Sequence, residues 1–331
     1  MINIGIIGVG YWGPNLVRNF YNNKKCRILK ICDLSPGRLE FIKSLYKDIE
    51  LTQNSADIIN NDLIDAVVIA TPVNTHKELA LKSLENNKHV FVEKPFTDKY
   101  SDGLILIEAA KQKNKILAVG HIFQFAPAVV AMKENIDKGL LGVMHHFSSQ
   151  RINLGPPKTT VDVVWDLAPH DLSILLYLFN EFPQTIYAFG NSYWWKDIID
   201  NAHIFMEFNS GKTAHINVSW LSSNKIRKTY IFGETGNLEY DETRSDENKV
   251  IFYDKGIDNR INLKDNEVKN LQYGKGEVRN IKLDNIEPLA AEVEEFINCI
   301  ENNTEPINNG LIGCEVVKIL EEATKSIKKK I

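Results

Sequence analysis

The first part of the chain alternates short apolar runs with segments of helical periodicity. The apolar runs lie at Ile4–Ile7, Ile28–Ile31, Ala66–Ala70, His89–Val92 and Ile116–Val119. Helical spacing of apolar residues falls between them, at Pro36–Tyr46, Thr75–Asn86 and Ser101–Lys113. Short β-branched runs that alternate with helices are typical of a parallel sheet covered on both faces.

After Gly120 the pattern changes to long β-type stretches with few helices between them. The predicted strands are Val143–Ile152, Ile186–Asn191, His203–Phe208, Ala214–Trp220 and Tyr230–Phe232, and the predicted helices are Pro127–Lys138, Ala168–Phe179, Leu289–Asn302 and Leu311–Lys330. Strands in series imply an antiparallel, open sheet. We therefore predict two domains. The first is a parallel α/β domain over residues 1–121. The second is an α+β domain over 122–331 with a large, mainly antiparallel sheet, whose last helix can pack back on the first domain.

Composition excludes several classes of partner. The chain has 331 residues, of which 44% are hydrophobic, so two cores can be buried. Its net charge is −4 and its Lys and Arg residues are scattered, which argues against a nucleic-acid or membrane surface. No apolar run approaches the ~18–20 residues that cross a bilayer. The four cysteines form no CxxC pair, and no signal peptide is evident. We expect a cytoplasmic protein.

A glycine-rich motif follows the first apolar run and opens a helical segment. Gly8-Val9-Gly10-Tyr11-Trp12-Gly13 matches GxGxxG. The first glycine permits a tight turn, the second lets the backbone approach a pyrophosphate, and the third lets the helix pack closely on the strand. The helix N-terminus would attract the pyrophosphate. We predict that Gly8, Gly10, Tyr11, Trp12 and Gly13 bind a dinucleotide.

An acidic residue for the ribose follows at the expected distance. Asp33 lies twenty residues after Gly13, where a carboxylate binds ribose hydroxyls and repels a 2′-phosphate. NAD is therefore expected rather than NADP, although the nearby Arg38 could accommodate the phosphate of NADP. Further cofactor contacts are predicted where two later strands end, because ligands of open α/β sheets bind there. These residues are Thr71, Pro72, Asn74, His76, Glu93 and Lys94, with His76 equally explained as a polar residue of a first helical turn.

Two further segments carry candidate catalytic groups. Lys94 follows an apolar strand and is either a surface charge or a cation aimed into a cleft. Asp166 and His170 are four residues apart, so both can project from one helix face, and Pro169 predicts that the helix starts here. His170 can accept a proton near neutral pH, and Asp166 could orient it or contact a substrate hydroxyl. The alternative is a capping aspartate with a buried, hydrogen-bonded histidine.

The same region suggests substrate contacts but no metal. Arg151 and Asn153 end a predicted strand and Lys158 follows in a loop, where a cation binds a carboxylate or diphosphate or is simply solvated. Asp166, His170 and Asp171 are possible metal ligands. Because only two plausible ligands converge there, we predict no catalytic metal.

Taken together, these motifs resemble the Gfo/Idh/MocA oxidoreductases. The resemblance rests on the glycine fingerprint, Glu93-Lys94-Pro95, Gly120-His121, Gly139-Leu140-Leu141-Gly142 and Asp166-x3-His170. It implies a Rossmann domain, a C-terminal α+β domain whose sheet forms a homodimer or homotetramer, and hydride exchange between a nicotinamide and a sugar-like carbinol. It also implies that Lys94, Asp166 and His170 are catalytic. Many relatives carry an arginine where Gln124 stands, and we assign Gln124 to the cofactor site.

The resemblance leaves three functions open. Residues 10–15 and 165–171 look like members that make sugars for surface polysaccharides, which favours a nucleotide-sugar 3-dehydrogenase or ketoreductase. An inositol or free-sugar dehydrogenase would use the same groups. A regulator that senses NAD without turnover belongs to another class, and the presence of Lys94, Asp166 and His170 argues against it.

Overall fold

The computed structural model describes residues 1–155, 161–254 and 276–328. The chain divides into two compact units, Met1–Phe125 with Ile286–Lys318, and Ala126–Asn285 with Ile319–Ile331. The predicted boundary after residue 121 falls just before this division. The segment Ile286–Lys318, which we assigned to the second domain, contacts the first unit instead.

The first unit is built on a parallel sheet, as predicted, with six strands where the sequence pattern indicated five. The strands are β1 (Ile2–Ile7), β2 (Cys26–Cys32), β3 (Glu50–Thr52), β4 (Ala66–Ile69), β5 (His89–Glu93) and β6 (Leu117–Gly120), in the order β3-β2-β1-β4-β5-β6. The helices between them are α1 (Gly13–Asn22), α2 (Pro36–Leu45), α3 (Ala56–Ile59), α4 (His76–Glu85) and α5 (Tyr100–Lys113). The sequence pattern missed β3, because three residues on a sheet edge carry no apolar run.

A helix from the C-terminal part of the chain completes the core of this unit. The chain returns as α8 (Pro288–Asn302) and continues into α9 (Gly310–Lys328). Apolar residues at Leu289, Val293 and Phe296 give α8 one buried face. Phe296 packs edge-to-face against Phe20 and Phe91, with ring centroids 6.4 and 5.6 Å away. Removing a buried phenylalanine ring costs about 3–5 kcal/mol, so α8 is an integral part of this unit.

The second unit contains an eight-stranded, mainly antiparallel sheet. Its strands are β7 (Met144–Ile152), β8 (Pro183–Asn191), β9 (Asn201–Phe208), β10 (Thr213–Ser219), β11 (Ile226–Gly233), β12 (Asn237–Asp241), β13 (Val250–Tyr253) and β14 (Val278–Asn280), in the order β14-β13-β12-β11-β7-β10-β9-β8. Only β7 and β10 pair in parallel among these strands. The fold class is therefore confirmed, although β12, β13 and β14 were not predicted.

One face of this sheet is covered by α7 (Val163–Phe179), against which α6 (Pro127–Asp137) also packs. Phe179 meets Phe147 and Phe208 edge-to-face, with centroids 6.2 and 5.2 Å apart. The prediction that the helix starts beside Pro169 is wrong. Asp162 caps the helix instead, since its carboxylate accepts hydrogen bonds from the amides of residues 164 and 165. Pro169 lies inside the helix, where it removes one backbone donor.

No helix in the ranges that the structure describes has the length and apolar character needed to span a membrane.

The four cysteines, Cys26, Cys32, Cys299 and Cys314, are all buried free thiols. Burial raises the pKa of Cys26 to about 12, so this thiol is not a nucleophile at neutral pH.

Candidate functional site

A cavity of about 750 Å³ opens in the first unit where β1, β2, β3 and β4 end. This is the edge of the sheet at which open α/β folds bind ligands. Its lining contains most of the predicted cofactor-binding residues, namely Gly8, Gly10, Tyr11, Asp33, Arg38, Thr71, Pro72 and Asn74. The sequence motif and the later strand ends therefore come together around one space.

The glycine fingerprint has the backbone geometry that the motif requires. Gly8 adopts φ +97°, and a Cβ there would lie 2.5 Å from the carbonyl oxygen of Ala70. A Cβ at Gly13 would lie 2.7 Å from the carbonyl oxygen of Gly8, so α1 can start this close to the turn only with glycine. A Cβ at Gly10 would have an Arg38 nitrogen as its nearest neighbour, at 3.7 Å. This open space is where a pyrophosphate could approach the backbone.

Asp33 is held firmly in the same cavity. It is 7% exposed, and its two oxygens accept hydrogen bonds from the amides of Val9 at 2.8 Å and Ser35 at 2.9 Å. A carboxylate has further lone pairs to offer, so ribose hydroxyls can still donate to it. Arg38 lies 3.6 Å away with a mostly exposed side chain. The residues present therefore fit the ribose of a dinucleotide cofactor.

Trp12 and Glu93 join the fingerprint loop to the end of β5. The Trp12 indole donates a hydrogen bond to the Glu93 carboxyl, and the Lys94 amide donates another to Oε2 at 3.1 Å. Burial raises the pKa of Glu93 to about 7, while the Lys94 ammonium and these two hydrogen bonds oppose the rise. Both residues therefore connect the cofactor motif to the segment that carries the candidate catalytic lysine.

Two other cofactor candidates, His76 and Gln124, are buried. The His76 ring nitrogens lie 2.9 Å from the carbonyl oxygen of Pro95 and 2.8 Å from that of Thr71. Burial lowers the pKa of His76, so the neutral ring bridges the segments that follow β4 and β5. Gln124 is 1% exposed in the short 3-10 turn at Ile122–Phe125. Their contact with a cofactor stays a prediction.

Lys94 directly follows β5 and precedes a cis peptide bond to Pro95. Its ammonium acts on two neighbouring groups of the first unit. It lowers the pKa of Glu93, and together with the larger effect of burial it lowers the pKa of His121 to about 3. Lys94 is thus a cation among buried polar groups rather than an isolated surface charge.

Asp166 and His170 lie one turn apart on α7, in the second unit. Both are partly exposed, and i, i+4 spacing places them on the same helix face. Asp162, rather than Asp166, caps the helix. No group of three or more His, Cys, Asp or Glu side chains suited to a metal ion occurs in the described part of the chain.

A buried ion pair fixes α7 on the sheet. Arg151, only 4% exposed, donates from Nε to Oδ2 of Asp171 at 2.5 Å and from Nη1 to Glu242 at 3.2 Å. Asp171 directly follows His170, so this pair holds the turn of the helix that carries Asp166 and His170. The proposed substrate contact of Arg151 remains untested, and Lys158 lies outside the described residues.

Arg227 is a candidate site residue that the sequence analysis missed. It lies opposite Arg151 in the register of β11 and β7 and donates from Nη2 to Asn153 Oδ1 at 2.5 Å. Burial lowers the pKa of Arg227, as does Arg151, whereas nearby carboxylates including Asp166 raise it. Only the strand register brings this cation to the end of β7, next to Asn153. The strand predicted from the sequence, Tyr230–Phe232, begins after Arg227 and therefore did not include it.

Cavity residues after β3 were missed for the same reason as the strand itself. Gln53, Asn54 and Ser55 line the cavity opposite the fingerprint, together with Glu78 and Lys82 of α4. A polar run at the carboxyl end of a parallel strand is a recognisable signal, but only once the strand has been located.

Comparison with known proteins identifies both parts of the chain. Residues 2–121 match a sequence model described as an oxidoreductase family with an NAD-binding Rossmann fold, and residues 129–239 match the C-terminal domain of the same GFO/IDH/MocA group. Together the two matches span well over half of the chain.

Three curated relatives have different activities. UDP-N-acetylglucosamine 3-dehydrogenase of Acidithiobacillus ferrooxidans is 26% identical over 95% of this chain and 93% of its own length. 2,7-anhydro-N-acetylneuraminate hydratase of Escherichia coli is 28% identical over 73% and 68%. Myo-inositol 2-dehydrogenase of Thermotoga maritima is 25% identical over 73% and 76%. The solved structure of the A. ferrooxidans enzyme superposes with a TM-score of 0.84, covering 99% of this chain and 98% of its own, at 22% identity.

Proposed function

Because the chain belongs to the GFO/IDH/MocA family of oxidoreductases, we propose that it interconverts a secondary alcohol and a ketone on a sugar, with NAD(H) as its redox partner. More specifically, we propose a nucleotide sugar as substrate, C3 as the reacting carbon, and a role in making sugars for surface polysaccharides. The proposed use of a nicotinamide cofactor rests on one observation. Asp33 is buried and held by two backbone amides in the cavity that the glycine fingerprint lines.

The preference for NAD rests on that carboxylate. Asp33 would accept hydrogen bonds from the ribose hydroxyls of NAD, whereas the 2′-phosphate of NADP would place a second anion against it. Arg38 is 3.6 Å from Asp33 and mostly exposed, so part of its charge is already balanced. These contacts support NAD as the cofactor.

Lys94 is proposed to stabilise the substrate oxygen. Bound nicotinamide would supply the hydride acceptor in the oxidation direction. As the hydroxyl proton is removed, negative charge grows on the carbinol oxygen, and an ammonium placed there lowers the barrier by stabilising this alkoxide until loss of hydride converts it to the carbonyl. One oriented donor of this kind is worth roughly 10²–10³ in rate. Lys94 fits the role because it ends a strand in the same unit as the cofactor cavity.

His170 is proposed to remove the hydroxyl proton. A histidine can exchange a proton near neutral pH, and general-base catalysis contributes roughly 10²–10⁴ in rate. Asp166, on the same face of α7, would orient the imidazole or bind a neighbouring sugar hydroxyl. The Arg151–Asp171 pair would keep this helical turn in place. The proposal requires His170 and Lys94 to act on the same carbon–oxygen bond.

Two observations support a nucleotide sugar over an inositol. The similarity to the UDP-N-acetylglucosamine 3-dehydrogenase extends over nearly the whole of both chains, whereas the similarity to the inositol dehydrogenase covers about three quarters. In addition, Arg227 brings a partly buried cation beside Asn153 and within electrostatic reach of Asp166. A guanidinium in that position suits the diphosphate of a nucleotide sugar.

The proposal is tested by measuring NADH formation with matched panels of substrates. Native mass spectrometry of freshly purified protein first shows any retained cofactor or nucleotide sugar. The protein is then assayed by NADH absorbance with UDP-, dTDP- and GDP-sugars, with free sugars and with inositols. We expect turnover with a nucleotide sugar and NAD, and little with the free sugars.

Other outcomes of the same assay separate the alternatives. Turnover confined to inositols or free sugars assigns a catabolic dehydrogenase and rejects the nucleotide-sugar proposal. Tight NAD binding without turnover of any carbinol favours a regulator. Because one relative is a hydratase, products are also analysed by mass spectrometry. A product formed by addition of water, without net NADH, would assign a reaction of that kind.

A further inference from the structure

A group of buried polar side chains lies at the carboxyl end of β6 and has no part in the chemistry proposed above. Glu292 of α8 and Asn308 are both fully buried in the first unit. The Asn308 amide donates to the carbonyl oxygen of Val119 at 2.7 Å and to Oε1 of Glu292 at 3.1 Å. Glu292 is therefore fixed beside the penultimate residue of β6.

The carboxyl of Glu93 approaches the last residue of the same strand. A Cβ at Gly120 would lie 2.8 Å from Oε2 of Glu93 and 2.9 Å from Oε1. Although Glu93 is partly exposed as a whole residue, its carboxyl is enclosed by Gly120, the Trp12 indole and the Lys94 amide. Two carboxyls thus flank two consecutive residues of one strand.

These two carboxyls have unequal surroundings. Glu93 accepts two hydrogen bonds and faces the Lys94 ammonium, all of which favour its charged form. Glu292 accepts a hydrogen bond only from Asn308, and its Oε2 has no hydrogen-bond partner among the described residues. Burial raises the pKa of Glu292 well above its ordinary value, and the charge of Glu93 raises it further. A buried pair of this kind does not ionise twice, and the member with more hydrogen bonds and a nearby cation loses its proton first.

We propose that Glu292 is the permanently protonated member of a carboxyl pair, so that above neutral pH the single negative charge of the pair resides on Glu93 and holds the ammonium of Lys94. Among the residues that the structure describes here, His121 is also titratable, and its buried ring is neutral beside Lys94. Glu93 is then the charge-balancing partner of Lys94 and acts as a positioning residue. The part concerning Lys94 rests on the function proposed above, whereas the protonation of Glu292 does not.

Glu292→Gln tests the protonation directly, because glutamine imitates a neutral carboxyl. A carboxyl whose folded pKa is raised makes the parent protein less stable as pH rises above its ordinary value of 4.5. Glutamine has no proton to lose, so the melting temperature of E292Q should gain on the parent between pH 5 and pH 8. The control is Glu295→Gln on the same helix, whose carboxyl contacts the Cys299 thiol at 3.6 Å and should show no such gain.

Infrared spectroscopy supplies a second measurement that needs no stable variant. The parent at pH 8 should show the C=O stretch of a protonated carboxyl, and E292Q should lose it. Absence of this band from the parent would overturn the proposal. So would an E292Q melting temperature that falls relative to the parent as pH rises, because Glu292 would then be charged and stabilised in the folded protein.

The link to Lys94 is measured by its reactivity toward an amine-modifying reagent, followed by peptide mass spectrometry across a pH series. Removing the counter-charge with Glu93→Gln should lower the midpoint of Lys94 labelling by about 1–3 pH units. E292Q should leave that midpoint in place. An unchanged midpoint in E93Q would reject the positioning role. Neither labelling midpoint depends on turnover, so this test can be interpreted even if the protein oxidises no sugar.

Discussion

At the scale of single residues, the choice of cofactor depends on Asp33. Asp33→Asn keeps the shape of the side chain and removes its charge. A hydrogen bond to a charged group contributes about 1.5–3 kcal/mol, so we expect NAD to bind roughly 10- to 100-fold more weakly, and the preference against NADP to shrink. Isothermal titration with both cofactors measures this change. The control is Asp48→Asn, an exposed carboxylate outside the cavity. Unchanged NAD affinity in D33N would show that the ribose does not bind at this carboxylate.

Residues of the fingerprint were predictable because their chemistry is local in sequence. Gly8, Gly13 and Asp33 follow short strands at fixed distances, and the structure places them as the motif requires. Glu292 and Asn308 gave no such signal. They reach the end of β6 from a helix and a loop more than a hundred residues later, and nothing in their own neighbourhood marks that position.

At the scale of elements, the buried pair of Arg151 and Asp171 holds α7 on β7. Removing Asp171 leaves the buried Arg151 guanidinium with Glu242, at 3.2 Å, as its counter-charge, and breaking a buried ion pair costs about 3–5 kcal/mol. We therefore expect Asp171→Leu to lower the free energy of unfolding by that amount in urea titrations. The double variant Arg151→Met/Asp171→Leu should recover part of it. The control is Lys138→Met, which breaks the exposed pair with Glu134 and should cost less than ~1 kcal/mol. Equal effects of D171L and K138M would contradict this account of the helix.

The start of α7 shows why element boundaries were harder to predict than element types. Pro169 suits a first helical turn, and this local preference suggested that the helix begins there. Asp162 accepts two amide hydrogen bonds farther upstream, and Val163 and Val164 are fully buried. Capping and burial together outweigh the loss of one backbone donor at the proline. The i, i+4 relation of Asp166 and His170 holds in either case, so the catalytic prediction did not depend on the boundary.

At the scale of the whole molecule, the face of the eight-stranded sheet opposite α7 carries a row of aromatic side chains. Tyr187, Phe205, His215 and Tyr230 lie on neighbouring strands on the face opposite α7, with Ser148 between the last two. The exposed fractions of Tyr187 and Phe205 are 53% and 40%. An apolar row of this extent is typical of a protein interface. We propose that a second copy of the chain covers this face, in a homodimer or homotetramer.

This assembly is tested by a charge placed within the row. Phe205→Glu should shift the sedimentation profile toward the monomer at micromolar concentration, because a carboxylate buried in an interface lacks a partner. The control, Phe41→Glu, changes a residue of α2 that is 54% exposed, and it should leave the profile unchanged. A monomeric parent protein, or an F205E variant that assembles normally, would reject an interface on this face.

The central claim is that Lys94 and His170 act on one carbon–oxygen bond, and the most direct test is turnover in Lys94→Ala and His170→Ala with the substrate found in the panel. Each variant should lose at least about 10²-fold in kcat while NAD binds as tightly as in the parent, because neither residue lines the cofactor cavity. Near-normal turnover in both variants, with NAD still bound, would contradict the claim.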